Sequence, residues 1–312
     1  MKGYKPLAFD NGNLLLFHKG DLFLQKDGSM QKVFTLSGGI KNKLKMFCRL
    51  SVRLFRCEPR QCYPIGNKRY LAVYARGLFV IDLKAQTMKK LFSCREGFSD
   101  LLNVCVCPSG APFIALFGDY GSNASHEAVH IYALYPDDSV QTIFTFAPGQ
   151  IRHVHNILSD QNGGYFILTG DTEPDAGIYH ANETMGQIEP VCTGSQQYRA
   201  VFGVSTQQGL LYATDSVTTE NHLYLLQKDT PREICPLHGS VIYGTAYKNG
   251  CVFSTTVEPD ETVRGILSYF SNKRGAGIRS NAVKVMQVDA SLHVHEVASY
   301  QKDKMPMKLF QY

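Results

Sequence analysis

The sequence predicts an all-β chain folded as a single β-propeller of six blades, with five or seven as alternatives. Three observations lead there. Short apolar runs separated by turn residues recur throughout the 312 residues. Polar clusters at the ends of those runs repeat at similar intervals: Arg152 and Arg199 are 47 apart, and Arg199 and Tyr243 are 44 apart. A period in this range, with four short strands per repeat, is the pattern of propeller blades. Glycine is frequent (27), aromatics make up 11% and tryptophan is absent, a balance that suits strands and turns.

Each blade follows from local signals. The first is expected from Pro6 to Ser37, its runs divided by Asn11-Gly12, Lys19-Gly20 and Asp27-Gly28. The second is expected from Arg69 to Phe92, the third from Leu101 to Ala147 and the fourth from Arg152 to Cys192. The fifth runs from Tyr198 to Cys235 and the sixth from Val241 to Ala298. The tail Lys308–Tyr312 reads as one more strand, pairing with the amino-terminal strands to close the ring. Leu14–Phe17, Leu78–Ile81, Phe113–Phe117 and Phe166–Leu168 are expected to be buried.

One segment, 39–60, breaks the pattern. Residues 41–60 hold seven Lys/Arg and one acid, a local charge of +6 against +5 for the whole chain. At helical spacing Lys45, Arg49, Arg53 and Arg56 share one face, and Leu44, Phe47, Leu54 and Phe55 fall on the other. A basic amphipathic helix over 41–57 is expected, either packed on the propeller or lying on an anionic membrane surface. A nucleic-acid partner is not expected, because no basic groove with interleaved aromatics appears elsewhere.

Hydrophobic residues at 44% and charged residues at 19% are ordinary for a soluble domain, here one domain over 1–312. The amino terminus shows no apolar signal core, and no run approaches the ~18 apolar residues of a membrane span. Nine cysteines without CxxC pairs suggest reduced thiols. A cytoplasmic location, with peripheral contact at the inner membrane, is the expectation.

The candidate chemistry sits at strand ends. His153 and His155, two apart, project to one face of a strand. One can act as a base while the other binds substrate, or the pair can hold a divalent metal; no metal site is assigned from spacing alone. Asp171, Asp215, Tyr243 and Glu258 complete the catalytic candidates. Arg152 and Arg199 suit a carboxylate ligand, with a structural salt bridge from Arg199 to Asp171 or Asp215 as the alternative. Gln197, Asp119, Tyr120, Glu220 and Asn221 occupy comparable places and are the further substrate-binding candidates.

The segments Ile151–Asn156, Thr169-Gly170-Asp171, Ser195–Val201, Tyr212–Ser216, Tyr243-Gly244-Thr245 and Ser254–Pro259 resemble a family of sialidase-like Asp-box propellers, bacterial proteins associated with surface-polysaccharide gene clusters. Tyr179–Gly186 is similar to an Asp-box turn, with Asn182 and Glu183 in the turn and no tryptophan. The resemblance implies a carbohydrate-active propeller, glycoside hydrolase-like or lyase-like, acting on or binding an acidic oligo- or polysaccharide. In a hydrolase, Asp171 or Asp215 would supply acid/base chemistry, and Tyr243 or Glu258 would stabilise the oxocarbenium-like centre. In a lyase, His153, His155 and Gln197 would imitate a His-rich, metal-assisted site. The alternative is a non-catalytic glycan-binding or assembly scaffold docked at the cytoplasmic membrane face.

Overall fold

The computed structural model describes residues 3–36, 45, 46, 48, 51, 52, 55, 57–260, 265 and 269–307. Among the described residues, twenty-four strands form six four-stranded sheets, in each of which neighbours in sequence are neighbours in the sheet. The first sheet is β1 (Lys5–Asp10), β2 (Asn13–His18), β3 (Asp21–Lys26) and β4 (Ser29–Thr35). The second is β5 (Gln61–Pro64), β6 (Arg69–Val73), β7 (Gly77–Asp82) and β8 (Thr87–Ser93). The third is β9 (Cys105–Val106), β10 (Ala115–Gly118), β11 (Val129–Leu134) and β12 (Val140–Phe146). The fourth is β13 (His153–Ser159), β14 (Tyr165–Gly170), β15 (Gly177–Ala181) and β16 (Ile188–Thr193). The fifth is β17 (Ala200–Thr206), β18 (Gly209–Thr214), β19 (Asn221–Gln227) and β20 (Thr230–Leu237). The sixth is β21 (Val241–Tyr247), β22 (Gly250–Thr255), β23 (Ala282–Val288) and β24 (Val294–Gln301). These are the six blades of an all-β propeller.

Position within a sheet explains composition. The second strands, such as YFILTG in β14 and GLLYAT in β18, are almost wholly buried. They have a strand on each side and apolar neighbours on both faces, so they read as continuous apolar runs. The fourth strands are edges, and TMKKLFS in β8 and TPREICPL in β20 place charged residues outward. Such charges discourage pairing with another chain. The hairpin between β1 and β2 turns at Asn11-Gly12, with φ of 49° and 79°. The β3–β4 hairpin turns at Asp27-Gly28, with φ of 48° and 80°. Two successive left-handed residues match the strand twist, and Asn-Gly and Asp-Gly adopt them at least cost.

Two compact units divide the chain, residues 1–122 with 132–141 and residues 123–131 with 142–312. In the first, Leu15, Phe17, Leu22, Tyr70, Ala72 and Ile81 form one core cluster, and Leu71, Leu78, Leu101, Phe117 and Tyr132 belong to another. In the second, Phe202, Leu211, Leu223 and Phe253 pack together, as do Leu168, Ile178, Tyr212 and Tyr224. The runs expected to be buried supply much of this: Leu15, Leu16, Phe17, Leu78, Ile81, Phe117, Ile167 and Leu168 are all buried.

Four first strands share an irregularity. A register shift falls between Pro6 and Ala8 in β1, Val154 and Asn156 in β13, Ala200 and Phe202 in β17, and Val241 and Tyr243 in β21. Each leaves one residue outside the pairing, as a β-bulge does.

The second blade begins earlier than the sequence reading placed it, at Gln61 rather than Arg69. Its first strand, QCYP, is four residues long and ends in proline, so it carries little strand signal. The helix expected over 41–57 lies largely outside the described residues, as does the strand expected over 308–312. Within the insertion, Met46 and Val52 are buried in the first core cluster, while Phe55 is 54% exposed. No helix among the described residues is long and apolar enough to cross a membrane. All nine cysteines are free thiols.

Candidate functional site

The residues that gather most tightly lie in the second unit, where β13, β14, β17 and β18 begin or end. His153 opens β13 opposite Gly170, the last residue of β14, and Asp171 follows directly. His155 is the residue left over by the register shift of β13. The two imidazoles are 4.8 Å apart between centroids, and both are buried. The Nε2 atoms of His153 and His155 lie 3.4 and 3.2 Å from the same oxygen, Oδ1 of Asp171.

Two features fix His155. Its Nδ1 lies 2.9 Å from the Ala200 carbonyl, which can only accept, so Nδ1 carries the proton. Its ring also rests against Gly170, where an added Cβ would lie 2.3 Å from Cε1. Beside it, the Asn156 amide donates to the Val201 carbonyl at 2.9 Å.

Asp171 is held from the other side by the segment leading into β17. A 3-10 turn, Gln196–Tyr198, is capped by the Ser195 hydroxyl, which accepts from the Gln197 amide. Gln196 Nε2 and Arg199 Nη1 both donate to the Asp171 carbonyl, at 2.9 and 3.0 Å. Arg199 Nη2 stands 3.4 Å from Asp171 Oδ1 and 3.7 Å from Asp215 Oδ2. The Ser216 hydroxyl donates to Gln196 Oε1 at 3.1 Å. Downstream, Thr172 and His126 both reach the buried Asp175, fixing the loop after Asp171.

Burial is the largest influence on His155 and pushes its pKa below the usual 6.5, so the ring is neutral near neutral pH. Burial works against the charge of Asp171, but the two imidazoles beside it outweigh that and hold the carboxyl well below the usual carboxylate range. A neutral His155 with Nδ1 protonated turns the Nε2 lone pair toward an ionised carboxylate oxygen. Two electron-rich atoms facing each other at 3.2 Å favour a cation between them. His153, His155 and Asp171 offer ligand atoms within 4.8 Å of one another, two imidazole nitrogens and a carboxylate oxygen. That donor set suits a first-row divalent ion, and the Ala200 carbonyl is the outer partner that orients a ligating histidine.

The other sequence candidates are placed differently. Arg199 is turned onto Asp171 and Asp215, the salt-bridge alternative of the sequence reading. Gln197 contributes its main-chain amide to the turn, and the side chain that reaches Asp171 belongs to Gln196, one residue earlier. Arg152 accepts from Asn123 through its carbonyl. Tyr243 is 41% exposed on β21. Glu258 is buried and takes the Thr256 hydroxyl. Glu220 pairs with Arg279. Asn221 ties down the turn after Asp215, accepting from the Ser216 amide at 2.8 Å and donating to the Ser216 and Gly277 carbonyls. In the first unit, Asp119 is paired with Arg95 at 2.7 Å and with the Tyr132 hydroxyl at 3.1 Å, and Tyr120 lies under the Arg60 guanidinium. Burial raises the Tyr132 pKa, and Asp119 raises it further.

No family model and no curated protein matches the sequence. Solved structures do match. An oligogalacturonate lyase from Vibrio parahaemolyticus is similar over 95% of this chain and 77% of its own, with a TM-score of 0.58 and 8% identity. A calcium-binding protein, regucalcin, from Agrobacterium tumefaciens is similar over 100% of this chain and 95% of its own, with a TM-score of 0.53 and 13% identity. The tricorn protease is similar over 96% of this chain, with a TM-score of 0.53 and 11% identity. The present chain spans 30% of the tricorn protease chain. The shared feature is the β-propeller fold. At these identities the likeness carries fold alone, and chemistry has to be argued from the site.

Proposed function

We propose that this protein is a carbohydrate-active propeller that takes an acidic glycan at His153, His155 and Asp171 with the help of a divalent cation. The observation that carries the reading is the meeting of two buried imidazole nitrogens on one carboxylate oxygen, with the His155 tautomer set by Ala200. Similarity in fold to an oligogalacturonate lyase and to a calcium-binding protein supports it. The turn after β15 supports kinship with Asp-box propellers, since Asn182 Oδ1 accepts from the Gly186 and Gln187 amides at 3.0 and 3.4 Å.

The bound cation would neutralise the carboxylate of a uronic acid and so acidify the adjoining C–H bond. The protein's own groups do the rest. Asp171, 35% exposed in its side chain, is the ligand that opens to solvent. Gln196 and Arg199 fix its main chain. Asp215, 3.7 Å from Arg199, is the candidate to receive the proton in a lyase-like reaction.

The test is calorimetric titration of manganese and calcium chloride into the chelator-stripped chain, followed by oligogalacturonate. One cation per chain is expected, with glycan binding that needs it and unsaturated uronate formed on turnover. Cation-dependent binding without turnover would favour the glycan-binding scaffold. Absence of cation binding would sink the reading.

A further inference from the structure

Arg199 stands where it opposes the cation that the neighbouring residues are arranged to hold. Its Nη2 is 3.4 Å from Asp171 Oδ1, the oxygen approached by both imidazoles, and 3.7 Å from Asp215 Oδ2. Both separations exceed the ~2.8 Å of a well-made guanidinium–carboxylate pair. Nη1 is engaged by the Asp171 carbonyl at 3.0 Å, whereas Nε is buried and finds no acceptor among the described residues. A buried N–H without an acceptor is costly, and such donors are normally satisfied. The guanidinium is therefore shared loosely between two carboxylates and keeps one donor unused.

We propose that Arg199 is the resident counter-cation of this site, and that it couples cation binding to capture of a sugar carboxylate. The inference rests on the proposed cation site. With no metal bound, Arg199 neutralises Asp171. A divalent cation on Oδ1 competes for that charge and repels the guanidinium, which retains Asp215 and the Asp171 carbonyl. An incoming carboxylate relieves that repulsion, because it meets two positive centres. Cation and acidic ligand then strengthen each other's binding by the same factor, as linkage requires. A neutral sugar gains nothing from this arrangement, so the site selects uronate-type ligands over neutral ones.

Two variants move the cation affinity in opposite directions. Arg199→Gln removes the competing charge, and manganese binding to the stripped full chain should tighten about tenfold, an effect of the usual size for such a coupling. The same variant should lose the manganese-dependent gain in oligogalacturonate affinity. Asp215→Asn removes the second carboxylate, leaves Arg199 to Asp171 alone and should weaken manganese binding. Calorimetry reads both, with thermal melts reporting folding; the Asp215→Asn arm still decides the matter if Arg199→Gln fails to fold. Wild-type chain that binds no manganese removes the cation site and this inference together. Wild-type chain that binds manganese, with Arg199→Gln unchanged or weaker, leaves the cation site standing and overturns the role of Arg199 alone. Equal manganese-dependent gains for oligogalacturonate and a neutral oligosaccharide would also overturn it.

Discussion

His155 and Gly170 lie face to face where β13 meets β14, so closely that a Cβ at residue 170 would come within 2.3 Å of Cε1 and 2.9 Å of Nε2 of the imidazole. No real Cβ tolerates that approach, and the ring cannot retreat without giving up its bond to the Ala200 carbonyl. Gly170→Ala is expected to dislodge the imidazole and cost about 1–3 kcal/mol of stability by overpacking. Calorimetric cation titration should show binding lost, and chemical unfolding should show the destabilisation. A variant with wild-type cation affinity would mean that His155 is not a ligand.

Acid should weaken the fold of the metal-free protein in two stages. His155 has a lowered pKa in the folded state, so the unfolded chain takes up the proton first. Stability is therefore lost as pH falls below about 6.5, the ordinary histidine value. Asp171 is lowered as well, and its contribution is lost only as pH falls below 3.8, the ordinary carboxyl value. Urea unfolding in the presence of a chelator, between about pH 7.5 and about pH 5.5, reads the first stage. His155→Gln should flatten that slope; an unchanged slope would assign it to another group.

Gln196 is expected to matter more than Gln197. Its amide bridges the Asp171 carbonyl and the Ser216 hydroxyl, whereas the turn uses only the main chain of Gln197. Gln196→Ala leaves the Ser216 hydroxyl without that acceptor, an expected cost of about 1–3 kcal/mol, and should weaken cation binding by loosening Asp171. Gln197→Ala should change neither. Paired unfolding and titration measurements on the two variants decide it.

Met46 anchors the basic insertion, buried in one cluster with Leu15, Phe17, Leu22 and Cys62. Met46→Ala should cost about 2–4 kcal/mol, as for other core truncations. Lys45 is exposed, and Lys45→Glu should leave the melting temperature unchanged. In the membrane-docking expectation, the same change weakens co-sedimentation with anionic vesicles at low salt, where charge attraction is least screened. Vesicle binding that is absent in the wild type would assign the insertion a packing role only.

Most of the blade pattern was legible because hairpin turns announce themselves. Asn11-Gly12 and Asp27-Gly28 mark left-handed turns whatever the tertiary context. Strand β5 was not, since four residues ending in proline beside a basic stretch show no alternation. Equivalent positions in successive blades were legible too: Asp119, Asp171 and Asp215 each follow the last residue of a second strand. What the sequence could not show was direction. In a 3-10 turn each residue rotates by about a third of a circle, so choosing Gln197 over Gln196 picks the wrong side. Nor does the sequence reveal that Arg199 faces protein carboxylates, because that depends on how separate strands come together, Asp171 being 28 residues away in the chain.

The surplus residue in β13 lets one strand serve two masters. Beyond it, Asn156 to Ser159 pair with Leu168 to Tyr165 without interruption. Ahead of it, His153 to His155 can be replaced, or slip by one position, without turning that downstream set inside out. Because β1, β17 and β21 carry the same irregularity, the leading ends of four strands are free to diverge in chemistry while the scaffold behind them stays unchanged. In a directed-evolution library confined to residues 152–155 and 199–201, the variants that fold should therefore keep the pairing of Asn156 to Ser159 while their ligand preference changes.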